Sequence, residues 1–238
     1  MFPYSSFYEF IVALFVEAGK LISPFLATIL ATFTGATVAF FWERRLKRKT
    51  EEEKLVANAN RTLFTLSRQI IVLTRIKKEI IGEYKDHRGA WLLIKPTVAN
   101  NWDKWRHDIN TISFIMDSKE PNMVTALLEE EDRYLEALQC FNERSKMHIN
   151  RVQPELSKAE VGREPILYNE VLFKRILGED VVEQMKSYTT NMIEHVYEGI
   201  PSAIELVHNL RKLFIEIFPD AKAKLITVKF SEEELEEK

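Results

Sequence analysis

Residues 21–49 read LISPFLATILATFTGATVAFFWERRLKRK. No charged side chain occurs from Leu21 to Trp42, and Glu43 is followed at once by Arg44, Arg45, Lys47, Arg48 and Lys49. Twenty-two helical residues at about 1.5 Å each reach about 33 Å, the thickness of a bilayer's hydrocarbon core. The stretch therefore reads as a transmembrane helix. Ser23-Pro24 offers an N-cap and a proline at the first helical position, where no donor is lost. Trp42 falls where an interfacial aromatic belt sits, and the basic residues fall where anionic lipid headgroups gather. Ahead of the span stand Glu9, Glu17 and only Lys20, so the positive-inside rule puts the N-terminus outside and the rest in the cytoplasm of a bacterial inner membrane. A cleaved signal peptide is the poorer reading, because no basic region precedes the apolar run. The alternative to a span is a buried core helix.

One face of this helix is small. Ala27, Ala31, Gly35 and Ala39 recur every four residues, with Thr28, Thr32 and Ala36 alongside. Such stripes let helix backbones approach closely in lipid, and threonine hydroxyls can bond across the contact, which points to a homo-oligomer. Small residues are also simply common in spanning helices. Before the span, Ser6-x-x-Glu9 is a capping-box pattern and Gly19 a helix stop. A helix from Phe7 to Ala18, about 18 Å long, is too short to cross and is expected to lie in the outer interface.

The chain thus reads as four segments: residues 1–20 as an interfacial amphipathic helix, 21–42 as the transmembrane helix, 43–230 as a cytoplasmic helical bundle, and 231–238 as an acidic tail. The fold class is all-α. Scarce glycine (7) and proline (8) favour helices. Val56, Ala59, Leu63, Leu66, Ile70, Leu73, Ile80 and Tyr84 step by threes and fours, broken only at Lys77, and form a heptad seam. Phe64, Ile71 and Ile81 add a second apolar stripe, and so broad a stripe suits an antiparallel bundle. Residues 87–107 hold Trp91, Trp102 and Trp105, expected to be buried and to seal the bundle end. A short helix is expected near Asp108–Met116. A long one from about Asn122 to Val152 carries a seam of Leu127, Tyr134, Leu138, Phe141, His148 and Val152. Gln153 to Pro165 reads as a polar linker, Ile166–Leu177 as a short helix, and Glu179–Phe218 as a helix that Pro201 kinks or splits. Ala223–Phe230 alternates and is expected to be extended.

The chemistry-bearing patterns are sparse. A net charge of −3 gives no excess of basic residues, so no nucleic-acid partner is expected. Cys140 is the single cysteine, which excludes a disulfide framework and thiolate zinc and fits a reducing compartment. No phosphate-binding glycine loop or G-x-S-x-G occurs. Glu205-x-x-His208 has di-iron spacing but lacks the second pair such a site needs. His148, with Glu131 and Ser145 as possible polar neighbours, reads as a hydrogen-bonded core histidine. The run Glu129-Glu130-Glu131-Asp132 reads as an exposed charged face. No cofactor and no catalytic residue is expected.

The stretch Arg61-Thr-Leu-Phe-Thr-Leu-Ser-Arg-Gln69, directly after an anchor with a basic stop, resembles a set of uncharacterised bacterial single-pass proteins with helical cytoplasmic domains. That resemblance implies an anchored bundle and brings no catalytic residues. The expectation is a non-enzymatic protein that binds the lipid bilayer, oligomerises through its spanning helix and uses its bundle to engage a cytoplasmic protein or to sense. The alternative is a membrane-perturbing effector, for example of an anti-phage defence system, held inactive by its bundle.

Overall fold

Every regular element among the described residues is helical, and none is a strand. The computed structural model describes residues 24–97, 101–160 and 168–230, with isolated positions at 9, 12–14 and 16–17; the side chains of residues 24, 25 and 27 lie outside that description. Leu21–Ser23, most of the expected interfacial helix and the acidic tail Ser231–Lys238 also lie outside it. The chain divides into two units, Met1–Lys54 and Leu55–Lys238.

Helix α1 (Pro24–Arg75) starts at the proline. Within the first unit its described side chains are exposed except for half-buried Thr34. Among the described residues no helix is long and apolar enough to cross a membrane. The spanning role read for Leu21–Trp42 thus finds no support among these residues.

In the second unit α1 is a bundle helix, and the heptad seam points inward. Ala59, Leu63, Leu66 and Ile70 have no solvent exposure, and Val56 and Leu73 are nearly as buried. Where Lys77 breaks the seam, the backbone widens into a π turn, Ile76–Ile81. Closing bonds from i to i+5 brings residues five apart to one side, and Ile76 and Ile81 are both fully buried. The second stripe splits: Ile81 is buried, whereas Phe64 and Ile71 are exposed.

A crossover then returns along the bundle through α2 (Ala90–Leu93) and α3 (Ile109–Ile112). Asp108 caps α3 by accepting from the Asn110 N–H at 2.9 Å. The tryptophans are spread along this crossover and do not gather at one end. Trp91 packs edge-on to Phe173, Trp102 stacks on Phe141, and Trp105 meets Phe64. The reason is length: the crossover must cover the flank of a long helix, and flat indoles fill the gap that a regular helix would otherwise occupy.

Helix α4 (Asn122–Met147) ends in a second π turn, His148–Val152, and runs on into α5 (Gln153–Lys158). Its expected seam, Leu127, Tyr134, Leu138, Phe141, His148 and Val152, is buried throughout. The expected linker is therefore helical at its start, with Pro154 tolerated in the first turn. Asn169 caps α6 (Glu170–Leu177), accepting from the Leu172 N–H at 3.2 Å. Gly178, at φ +89°, makes the reversal into α7 (Glu179–Ile217). Pro201 lies inside α7 without splitting it. Packing on both flanks outweighs its missing donor: Ile200, Ala203 and Ile204 are all buried beside it.

Helices α1 and α4 both run antiparallel to α7. Lys77 lies over the Tyr197 ring while Asn60 reaches past the α7 end, and Arg133, Glu136 and Arg144 meet Ser202, His195 and Thr189 in turn. A smaller core of Trp91, Val152, Phe173, Leu177, Val181, Val182 and Met185 closes one end. After α7 a 3-10 turn (Pro219–Lys224) leads into an irregular strap rather than a strand. The Asn60 amide holds it like a neighbouring strand would: Nδ2 donates to the Lys224 carbonyl at 3.0 Å and Oδ1 accepts from the Ile226 N–H at 2.9 Å. Arg211 Nε donates to the Ile226 carbonyl at 3.2 Å.

Candidate functional site

The residues singled out on α1 whose side chains are described share one property, exposure. Ala31, Thr32, Gly35 and Ala39 are exposed, with nothing within 4 Å of a Cβ built at Gly35. Thr28 is exposed too, and Ala27 belongs to α1 with its side chain outside the description. The large apolar side chains are equally bare: Phe33 is 75% exposed, Phe40 60%, Phe41 62% and Trp42 58%. The threonines satisfy themselves. Thr32, Thr34 and Thr37 donate to the carbonyls of Thr28, Leu30 and Phe33 at 2.8, 2.8 and 2.7 Å. A hydroxyl spent on its own helix can enter an apolar medium without an orphaned donor, but it no longer has that donor for a neighbouring helix. Arg44, Arg45, Lys47, Arg48 and Lys49 follow as an exposed basic collar, interleaved with Glu43, Glu51 and Glu52.

Inside the bundle, the polar residues hold backbone. Arg144 is fully buried, and among the described residues its hydrogen-bond partners include no carboxylate. Its guanidinium donates to the carbonyls of Trp91, at 3.2 Å, and Ile94, and to Thr189 Oγ1 at 3.1 Å. These carbonyls close the C-terminal end of α2, where the helix dipole is negative. Burial lowers the Arg144 pKa to about 10, which leaves it charged at neutral pH. One turn on, His148 Nε2 lies 3.3 Å from the Leu92 carbonyl, and burial lowers its pKa. Ser145 Oγ accepts from the Thr97 N–H at 3.3 Å. Arg144, Ser145 and His148 together clasp the start of the crossover.

Glu131 does not join His148. Its Oε2 accepts from the His107 N–H at 2.6 Å, and burial raises its pKa. The acidic run is thus only half a solvated face. Glu129 and Asp132 are exposed, whereas Glu130 turns inward to Arg133 Nη1 at 2.7 Å and to Ser202 Oγ at 2.9 Å. His107 is itself held at about 4 by burial. Glu205 is exposed and the His208 ring meets Phe230, so that motif assembles no ligand set. No cluster of three metal-ligating side chains occurs among the described residues. Cys140 is half-buried, and burial raises its pKa first of all, away from a reactive thiolate.

An open cleft of about 660 Å³ at the end of the second unit is lined by Arg88, Tyr168, Asn169, Glu170 and Lys186. Glu170 neutralises Lys186 at 2.5 Å, and Tyr168 accepts from Trp91 Nε1 at 3.0 Å. Sequence reading passes over Arg144, although a signal is present. Arg144 falls three residues after Phe141 and four before His148, which is a seam position. Compared with known proteins, the chain matches no family model, no curated protein and no solved structure.

Proposed function

We propose that this chain is a non-enzymatic protein anchored in the bacterial inner membrane by Leu21–Trp42, with its N-terminus outside, and that its helical bundle is a cytoplasmic interaction or sensing module. The observation that carries this reading is the exposure of every described large apolar side chain from Leu26 to Trp42, on an uncharged helix that runs into a basic collar. A helix apolar on all sides needs either a protein core or lipid around it. The back-bonded threonines suit lipid, and the basic collar suits anionic headgroups. Small residues at Ala27, Ala31, Gly35 and Ala39 leave room for a second copy to pack. Within the bundle, Arg144, His148, Glu130 and Glu131 are taken up by backbone and ion-pair roles, which supports a binding module over a catalyst.

Alkaline extraction of membranes tests the anchor. The full chain is expected in the pellet and a chain starting at Glu43 in the supernatant; a full chain released by alkali refutes it. Ala31→Leu with Gly35→Leu is expected to lower cross-linked oligomers at least several-fold, and unchanged oligomers would remove the packing face. Depolarisation of cells by the full chain alone would turn the reading to a membrane-perturbing effector.

A further inference from the structure

Within the second unit, α1 presents a stripe that the described residues leave uncovered. Arg61, Phe64, Arg68, Ile71 and Arg75 succeed one another by steps of three and four, so they share one side of the helix. Phe64 is 50% exposed and Ile71 45%, while Arg61 and Arg75 are exposed and Arg68 is half-buried, 4.9 Å from the Trp105 ring. This has the spacing of a packing seam with arginine at every second position. It calls for a helix that is acidic and carries apolar residues seven apart. A second copy of the same stripe is not such a helix, because arginine would then face arginine.

The chain carries the complement on α4. Leu128, Asp132 and Leu135 follow one another by steps of four and three, and Glu129 and Glu136 flank the leucines one position on. Leu128 is 37% exposed, Leu135 is half-buried, and Glu129, Asp132 and Glu136 are exposed. The height of this face matches too. At Gly199 of α7 a Cβ would lie 3.3 Å from Leu73 and 3.2 Å from Arg133, so Leu73 of α1 and Arg133 of α4 stand level. Lys77 over Tyr197 and Glu136 beside His195 agree to within a turn. Helices α1 and α4 run parallel, because both are antiparallel to α7, so a residue of α1 stands level with the one about 60 further along the chain. Arg68 is then level with Leu128 and Glu129, Arg75 is level with Leu135 and Glu136, and Ile71 falls between the two leucines. Both faces are exposed in the same chain, so they meet only between copies.

We propose that the bundles of two copies meet head to tail, the α1 stripe of one on the α4 face of the next. Arg68 then lies against Glu129, Arg75 against Glu136, and Phe64 and Ile71 against Leu128 and Leu135. Arg75 and Glu136 already pair with Glu79 and His195, at 2.8 and 3.5 Å, but both side chains are more than half exposed, where such pairs are weak and exchange readily. The contact uses a different patch on each side, and equal heights add no rise from copy to copy, the condition for a closed ring rather than a helical filament. It lies wholly in the second unit and does not rest on the packing read at Ala31 and Gly35.

Disulfide trapping between full-length chains tests it, in mild detergent at micromolar protein, with Cys140→Ser removing the native thiol. One chain carries Ile71→Cys and the other Asp132→Cys, an exposed position between the two leucines. The 71–132 disulfide is expected to form at least about tenfold faster than either the 71–71 or the 132–132 disulfide, and about 0.5 M salt is expected to slow it several-fold. Equal rates overturn the proposal, and so does a dominant 71–71 disulfide, which would assign the stripe to a symmetric dimer. Arg68→Glu with Arg75→Glu in the first chain is expected to abolish the advantage, and Glu129→Arg with Glu136→Arg in the second chain to restore it. Loss without restoration overturns the pairing. Ala31→Leu with Gly35→Leu in both chains is expected to leave the advantage in place; an advantage that vanishes with them belongs to the spanning helices and also overturns the proposal.

Discussion

Replacing Gly199 tests how closely the three long helices approach. A Cβ at Gly199 would lie 3.2 Å from Arg133 Cδ and 3.3 Å from Leu73 Cδ1, so α1 and α4 both press on α7 at this point. Glycine inside a helix costs about 1 kcal/mol relative to alanine. Gly199→Ala recovers that amount and must shift two side-chain ends by a few tenths of an ångström, so it is expected within about 1 kcal/mol of the parent. Gly199→Leu pushes a whole side chain into space that Leu73 and Arg133 already fill. Overpacking costs about 1–3 kcal/mol. Displacing Arg133 also breaks its contacts with Glu130 Oε1 and Ser202 Oγ, both 2.7 Å, at about 1.5–3 kcal/mol for a charged hydrogen-bonded group. Less the helix-propensity gain of about 1 kcal/mol, the net loss is about 1.5–5 kcal/mol. At about 2–4 °C per kcal/mol for a domain of this size, the melting temperature should fall by roughly 3–20 °C. Urea unfolding followed by tryptophan fluorescence measures it, since Trp91, Trp102 and Trp105 all sit on the packed crossover. Gly199→Leu within 1 kcal/mol of the parent would refute the close crossing.

Two further perturbations probe the buried polar groups. Arg144→Met keeps most of the volume but leaves the Trp91 and Ile94 carbonyls and Thr189 without their donor. The backbone acceptors cannot be replaced along with it, so a loss of about 3 kcal/mol is expected by urea unfolding, and a neutral result would refute the clasp. The second is pH. His107 titrates at about 4 when folded and at about 6.5 when unfolded, so between these values the unfolded chain binds more protons. Its contribution, on the order of 3 kcal/mol, is present above pH 6.5 and is lost as pH falls toward 4. His148, also lowered by burial, adds with the same sign. Glu130 and Glu131, raised by burial, oppose it: their contribution is greatest below pH 4.5 and falls as pH rises. The difference between the parent and His107→Gln isolates the histidine, and it should shrink from pH 7 to pH 4. A difference that does not change with pH removes His107 from the linkage.

What could be read from the chain and what could not divides along one physical line. Seams were legible because a buried helix face repeats with the period of the helix itself, and every expected seam residue of α4 and its closing π turn, from Leu127 to Val152, is buried. The same period misled at Phe64 and Ile71, which fit an apolar stripe yet stay exposed, because periodicity marks a face without saying whether anything covers it. At Pro201, of the kink or split that local propensity allows, the split does not occur: the helix runs through, with Ile200, Ala203 and Ile204 buried around it. The polar clasp was illegible for a different reason. Arg144 meets Trp91 and Ile94, 53 and 50 residues earlier, and its acceptors there are backbone carbonyls, which no side-chain pattern announces. Asn60 and the strap are joined the same way across 166 residues. Side chain–to–backbone contacts of long sequence separation therefore carry much of what positions the crossover and the strap. On α1 itself, Gln69 holds the crossover by donating to the Trp105 carbonyl at 2.8 Å, and Asn60 holds the strap by accepting from the Ile226 N–H at 2.9 Å.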